Sequence, residues 1–458
     1  MRSRRDQVQA HAYVMGRLTS ALVHAEPDAP ESPLRRTGLG SFGGLLLGTL
    51  AVAGFLVWGF ISPASKAIAL TAGELVMVKQ TGARYVYARS ELRPVLNWSS
   101  ALLLTGGDTA MTVVSAGSLA GVPQGEPVGI VGAPDALPAA GAVNKGPWLV
   151  CALPGSQVSV SIGIAPAVRP LPAGSAVVVS ASGARYLVWH GQRLRLDASW
   201  ILDALGLGQA PVIGVSPVWL NAVPAGPDLT PLRVPGRGGQ GPTLGQLRTR
   251  VGEVLVSRNV GSPSEFYLAE PGGVAPITPA QAAVALTDPA SAAAYPGAAV
   301  APVTASPAAI AHAPVVQPGL ADAADAPSAP PKDDSGGSGV PCMDYAGAGG
   351  AAPRLVFASA PGGQPPAMGQ PGVSGSPQTA DLISVVPDGG AFIRPQAAPG
   401  VGGDSLFLVT DAGVKFPVPS ASAASALGYR LGRAAALPAA LLGLLPTGPA
   451  LDLAPMRG

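Results

Sequence analysis

The chain has 458 residues, of which 12% are charged and 5% aromatic, and its formal net charge is +2. That length suits two or three ordinary domains. A charge so near zero offers no electrostatic footing for nucleic acid, which is not expected as a partner. The 61 glycines and 50 prolines predict many turns and connectors.

The first segment, residues 1–37, reads as an arm. Val8, Met15 and Leu22 are one heptad apart, with His11 and Leu18 between them. This spacing predicts an amphipathic helix whose assembly face is Val8, Met15, Leu18 and Leu22. Arg4, Arg5 and Arg17 surround it. With no domain of its own to cover the stripe, the arm is expected to dock on a partner or on lipid.

Residues 38–61, GLGSFGGLLLGTLAVAGFLVWGFI, carry no charge. At 1.5 Å per residue they cross the roughly 30 Å hydrocarbon core of a bilayer. A cleaved signal peptide would have a shorter apolar stretch nearer the start, although Pro63-Ala64-Ser65 resembles a cleavage site. Arg2, Arg4, Arg5, Arg17, Arg35 and Arg36 precede the span, against Lys66 and Lys79 after it. The bias puts the N-terminus in the cytoplasm and the remaining mass outside, with Trp58 and Phe60 at the outer interface. Gly40, Gly44 and Gly48 recur every four residues. They read either as a helix-packing face or as one more instance of abundant glycine.

The chain has two cysteines, Cys151 and Cys342. In a cytosolic protein they would be unrelated buried thiols; outside the membrane a single disulfide between them is expected. It would tie residues 121–170 to residues 340–400 as one central domain. A loop of that length allows up to about 5 kcal/mol of stabilisation.

An internal repeat organises the rest. Val76 to Tyr87, VMVKQTGARYVY, aligns without a gap on Val177 to Val188, VVVSASGARYLV. Leu119, Val122, Pro123 and Gly125 fall on Leu220, Val223, Pro224 and Gly226 at the same 101-residue offset. Leu406 to Val418, LFLVTDAGVKFPV, is read as a further copy, its Gly-x-Lys-Phe set against Gly-x-Arg-Tyr. Glu253 to Leu286 is a weaker one. The units are placed at 73–120, 174–230, 248–290 and 404–450, each a strand, a glycine turn, a second strand and a short helix. Gly82, Gly183 and Gly413 sit where a hairpin needs positive φ. Residues 291–339 are read as an Ala/Pro-rich segment ending in a flexible loop. The fold class is α+β: one transmembrane helix, then an elongated ectodomain of four small α/β repeats around a β-rich central domain with one disulfide.

The search for chemistry finds little. Gly38 to Gly43 and Gly236 to Gly241 both match Gly-x-Gly-x-x-Gly, yet neither follows a strand and opens a soluble helix. Gly141 to Trp148, GAVNKGPW, lacks the Gly-Lys-Ser/Thr ending of a phosphate loop. His190 and His312 stand alone, so no metal site is expected, and no catalytic residue is assigned. Arg84 and Arg185, with Tyr85 and Tyr186, read as repeat architecture.

The layout resembles the EccB family, the bitopic core component of type VII (ESX) secretion systems. The stretches that carry it are RRDQVQAHAYVMGRLTSALVHAEPDAPESPLRR, SLAGVPQGEPVGIVGAPDALP, WLVCALPG and VPCMDYAG. The arm departs from the family in having Pro30-Glu31-Ser32-Pro33 where a Met-x-Asp-Pro element is usual. The resemblance implies a structural subunit of the inner membrane. It would assemble with EccC, EccD and EccE type subunits and a mycosin protease, and self-associate in a hexameric assembly. The family's ATPase label makes ATP a possible ligand by resemblance alone. An ectodomain ATP hydrolase and a cell-wall-binding ectodomain are the alternative readings.

Overall fold

The two N-terminal apolar patterns form helices: α1 spans Arg4–His24 and α2 spans Leu34–Ile61. These come from a computed structural model that describes residues 4–25, 34–61, 68–316, 326–345, 352–398 and 401–453. Arg2, Pro30 to Pro33, Pro63 to Lys66 and Ala321 to Asp325, on which the sequence reading also leaned, lie outside the described residues, as do the side chains of Arg35, Arg36 and Phe60. Helix α2 begins four residues before the apolar run, because Leu34 to Thr37 have no helix breaker among them. The chain divides into two compact units. One comprises Met1–Ala69, Val78–Thr81 and Val113–Gly121, and the other comprises Leu70–Met77, Gly82–Thr112 and Val122–Gly458.

Repeat 1 contains β1 (Leu75–Val78), β2 (Arg84–Ala88), β3 (Glu91–Pro94), α3 (Trp98–Thr105) and β4 (Met111–Val114), in the sheet order β3-β2-β1-β4. The Asn97 side chain accepts the Ser100 N–H and starts α3; Gly106, at φ +70°, ends it. Next come β5 (Trp148–Leu153), β6 (Gln157–Ile162) and β7 (Val168–Pro170).

Repeat 2 has β8 (Ser175–Ala181), β9 (Ala184–Trp189), β10 (Gln192–Arg195), α4 (Trp200–Ala204), β11 (Val212–Gly214) and α5 (Pro217–Ala222). Strand β11 returns parallel to β8. A separate hairpin, β12 (Gln240–Leu244) and β13 (Leu247–Arg250), precedes repeat 3.

Repeat 3 has β14 (Val254–Ser257), β15 (Glu265–Glu270), β16 (Gly273–Ile277), α6 (Pro279–Thr287), β17 (Val303–Thr304) and α7 (Pro307–Ala311). A Thr278–Gln281 capping box opens α6. Strand β17 lies parallel to β14, so this repeat runs past the expected end at 290. The return strand is two residues long, too short for alternation to announce it.

The flexible loop expected at the end of 291–339 is fastened where it is described. Strand β18 (Lys332–Asp333) pairs parallel with β8, and Asp334 forms an ion pair with Arg169. The composition left its side chains little core to join, but its backbone found a sheet edge.

Strands β19 (Val340–Tyr345), β20 (Arg354–Ala358) and β21 (Leu382–Val385) complete a six-stranded central sheet of order β21-β6-β5-β19-β20-β7. Two stretches of chain, 148–170 and 340–385, thus interleave in one sheet.

Repeat 4 has β22 (Ala391–Ala398), β23 (Val401–Gly402), β24 (Leu406–Val409), β25 (Lys415–Val418), α8 (Ala421–Ala426), β26 (Ala435–Pro438) and α9 (Ala439–Gly443). Strand β22 pairs antiparallel with β24 and parallel with β26, so it takes the place of β8 in repeat 2. The repeat therefore starts in residues that the sequence reading gave to the central domain. Its Gly413 hairpin is the second of the meander, with Gly191 rather than Gly183 as counterpart. The backbone marks the equivalence: Leu92, Arg193, Val274 and Lys415 each donate an N–H to a proline carbonyl, of Pro123, Pro224, Pro314 and Pro446.

Repeats 1 and 2 share their second hairpin register, Tyr85↔Pro94 and Tyr186↔Arg195, at the 101-residue offset. The first hairpin differs: Val76 faces Tyr85, whereas Val177 faces Val188. The slip is two residues, which keeps the same side chains on the core face. Repeat 2 turns on Ser182 and Gly183 alone, both at positive φ.

Within the larger unit, three apolar clusters join the parts in a row. Leu102 and Leu103 of repeat 1 pack with Phe392, Leu408 and Phe416 of repeat 4. Ile393 and Leu441 of repeat 4 share a core with Val150 and Val160 of the central sheet and Val179 and Trp219 of repeat 2. Leu187 and Ile201 of repeat 2 pack with Ala280 and Val284 of repeat 3.

Candidate functional site

Helix α1 carries the predicted assembly residues on its surface. Val8, Met15, Leu18 and Leu22 are 68, 52, 52 and 84% exposed, a degree of exposure that a stripe turned to a core of its own would not have. The Arg17 guanidinium lies 5.9 Å from the Tyr13 ring centroid, which steadies the basic flank of the helix.

Within α2, Thr37–Gly59 is long and apolar enough to cross a membrane, with 23 residues of mean hydropathy 1.8. At 1.5 Å per residue it measures about 34 Å, more than a hydrocarbon core. None of this span is buried. Positions Gly40, Gly44 and Gly48 have nothing within 4 Å of where a Cβ would stand, so the stripe is open to a second helix.

Cys151 and Cys342 form a disulfide across 191 residues of sequence. They face each other directly on β5 and β19. Both are fully buried, among Leu149, Leu153, Val356 and Ala358.

The sequence reading did not find the polar clamps between parts. The Trp219 indole N–H donates to the Val150 carbonyl at 2.9 Å, and the Tyr345 hydroxyl donates to the Ala222 carbonyl. Burial pushes the Tyr345 phenol well above its usual range, so it stays a donor. Arg193 Nη1 donates to the Leu220 carbonyl at the end of α5, and Lys415 Nζ donates to the Leu442 and Leu445 carbonyls at the end of α9. Both cations sit at helix C-termini, where free carbonyls and the helix dipole favour them. The one available signal was the shared Gly-x-Arg and Gly-x-Lys spacing, at Gly191 and Gly413.

The motifs weighed for chemistry are occupied by structure. In Gly236 to Gly241, the Gly238 N–H donates to Val251 and the Gly239 N–H to Gly236; Gly38 to Gly43 lies inside α2. In the 141–148 stretch, Asn144 accepts the Phe392 N–H and donates to the Phe392 and Arg433 carbonyls. His190 is an exposed turn residue at φ +46°, stacked on Trp189 at 4.1 Å. His312 caps α7 through Ala308. Arg84 pairs with Asp135 at 2.8 Å and covers the Trp98 ring, holding the start of α3. Among the described residues, no three His, Cys, Asp or Glu side chains group to hold a metal.

An unburied apolar arm, a membrane-length helix and four copies of one small fold around a disulfide-tied sheet define a membrane-anchored repeat protein. The family model described as "Type VII secretion system ESX-1, transport TM domain B" matches residues 2–455. The chain belongs to this EccB family. It is 29% identical to the ESX-5 secretion system ATPase EccB5 of Mycobacterium tuberculosis over 99% of this chain and 92% of that protein. It is 28% identical to the ESX-3 secretion system ATPase EccB3 of Mycolicibacterium smegmatis, and that match spans a little over half of the relative's length, 56%. Two solved structures share the fold at 26% identity. One is an intact ESX-5 inner membrane complex, with a TM-score of 0.63 over 100% of this chain and 97% of that one. The other is an EccB3 dimer from the ESX-3 core complex, with a TM-score of 0.66 over 83% and 98%.

Proposed function

We propose that this chain is a structural subunit of a type VII secretion complex in the inner membrane, anchored by α2 and recruited through α1. The observation that carries the reading is the exposed Val8–Met15–Leu18–Leu22 stripe on a helix joined to a membrane span. The arm faces the cytoplasm and the repeat domain lies outside. The basic residues before α2 and the buried disulfide support this orientation. EccC, EccD and EccE type subunits are the partners the arm and span would meet, a mycosin protease would meet the repeat domain, and copies of the chain would contact one another in a hexameric assembly.

The scaffold reading assigns this subunit no catalytic step of its own, and an ATP-hydrolysing ectodomain is the competing reading. Relatives carry the word ATPase in their names, but the glycine stretches here spend backbone N–H groups within the fold rather than holding them toward a phosphate. Removing residues 2–36 tests the role: the detergent-extracted complex should lose this chain while the repeat domain stays folded. A variant that still co-purifies at full complex size would refute it. Equilibrium binding of ATP to the purified full chain would favour the enzymatic reading.

A further inference from the structure

The four repeats share one cross-strand rung that repeat 2 alone has changed. Tyr85 faces Pro94, Tyr267 faces Pro276 and Phe407 faces Pro417, an aromatic residue opposite a proline. In repeat 2 Tyr186 faces Arg195. Proline three times over shows that the scaffold needs neither a charge nor an N–H at this rung, and outer strands tolerate proline for that reason. Arg195 is therefore not explained by the fold it sits in. Its side chain is exposed and, among the described residues, makes no ion pair.

Arg195 lines an open cleft of about 350 Å³ with Arg193, Tyr186, Asn221, Leu220 and Asp228. Arg193 Nη1 is committed to the Leu220 carbonyl and the Asn221 side chain, which fixes its guanidinium in the wall. Asn221 and Tyr186 add neutral polar side chains to the lining. We propose that this cleft binds a carboxylate carried on an acidic peptide segment, with Arg195 as the specificity residue. Two guanidinium forks match a carboxylate. Asp228 in the same wall disfavours a doubly charged phosphate. The inference does not depend on the assembly role proposed above.

The test uses the full chain in detergent and an acetylated, amidated Gly-Glu-Gly peptide with a single carboxylate. Its Gly-Gln-Gly counterpart and inorganic phosphate are the competitors. The acidic peptide is expected to bind saturably. R195P, which installs the residue of the other repeats, should weaken it by about tenfold or more, roughly 1.4 kcal/mol, without moving the thermal midpoint. R195A should do the same. The proposal is overturned if wild type shows no saturable binding, if the amide peptide competes equally, or if phosphate displaces the peptide at equal concentration. Unchanged affinity in both variants would mean that Arg195 is a solvated surface arginine only.

Discussion

Trp219 donates its indole N–H to the Val150 carbonyl at 2.9 Å, and in doing so fastens α5 of repeat 2 to β5 of the interleaved central sheet. The ring is fully buried in the core shared by repeat 2, the central sheet and repeat 4. Trp219→Phe keeps much of the apolar contact and loses one buried hydrogen bond, at a cost of about 0.5–1.5 kcal/mol. Trp219→Ala also opens a cavity and should cost about 3–5 kcal/mol. Chemical denaturation of the two variants should rank them in that order.

The Cys151–Cys342 bond closes a loop of 191 residues. Changing both cysteines to serine should lower stability by up to about 5 kcal/mol. The β5–β19 pairing itself should survive, since β5 is also held by β6 and β19 by β20. Mass spectrometry of the native protein without reductant should find no free thiol; two free thiols would remove the bridge from the account.

Lys415 makes stability depend on pH. Burial holds its ammonium down at about 8 in the folded chain, against 10.5 for a free side chain. Between those values the unfolded chain binds more protons than the folded one, so this residue's contribution rises with pH. Below about pH 8 both states are protonated and the contribution is flat. The thermal midpoint of wild type minus that of Lys415→Met should therefore become more positive from pH 8 to pH 10. A difference that stays constant would contradict it.

The arm and the turn histidine separate an assembly role from an ectodomain activity. Met15→Asp with Leu18→Asp puts two charges on the exposed stripe, and each must be desolvated to reach an apolar partner. That double variant should drop out of the membrane complex, whereas His190→Ala should assemble and support secretion normally. The opposite result in a secretion assay would overturn the scaffold role.

Much of this architecture could be read from residues, and the misreadings have local causes. The 101-residue offset was visible because the Gly-Ala-Arg-Tyr turn and the Val-Pro-x-Gly tail are both required by backbone geometry. The head of repeat 4 was placed one hairpin late because β22 lies beyond the short β23 excursion, with no glycine turn of the expected kind to mark it. Its Gly-x-Lys-Phe resembles two different turns of repeat 2, and only the proline carbonyl that receives the Lys415 N–H tells them apart. The return strands β11, β17 and β26 were missed because two to four residues show no periodicity. The clamps from Trp219, Tyr345 and Arg193 lie in three-dimensional contacts between distant segments, which a pattern along the chain does not carry.

The interleaved sheet also dictates an order of events when the protein is made. A chain emerges amino-terminus first, so β5 and β6 appear long before β19 can lie against them. During that interval β5 presents a bare, wholly apolar edge, WLVCAL, of the type that recruits the wrong neighbour. Repeats 2 and 3 can mature in the meantime, because their strands pair locally. The nascent protein must then keep Cys151 unpaired and that edge unclaimed for the whole of the 191-residue interval before Cys342 arrives.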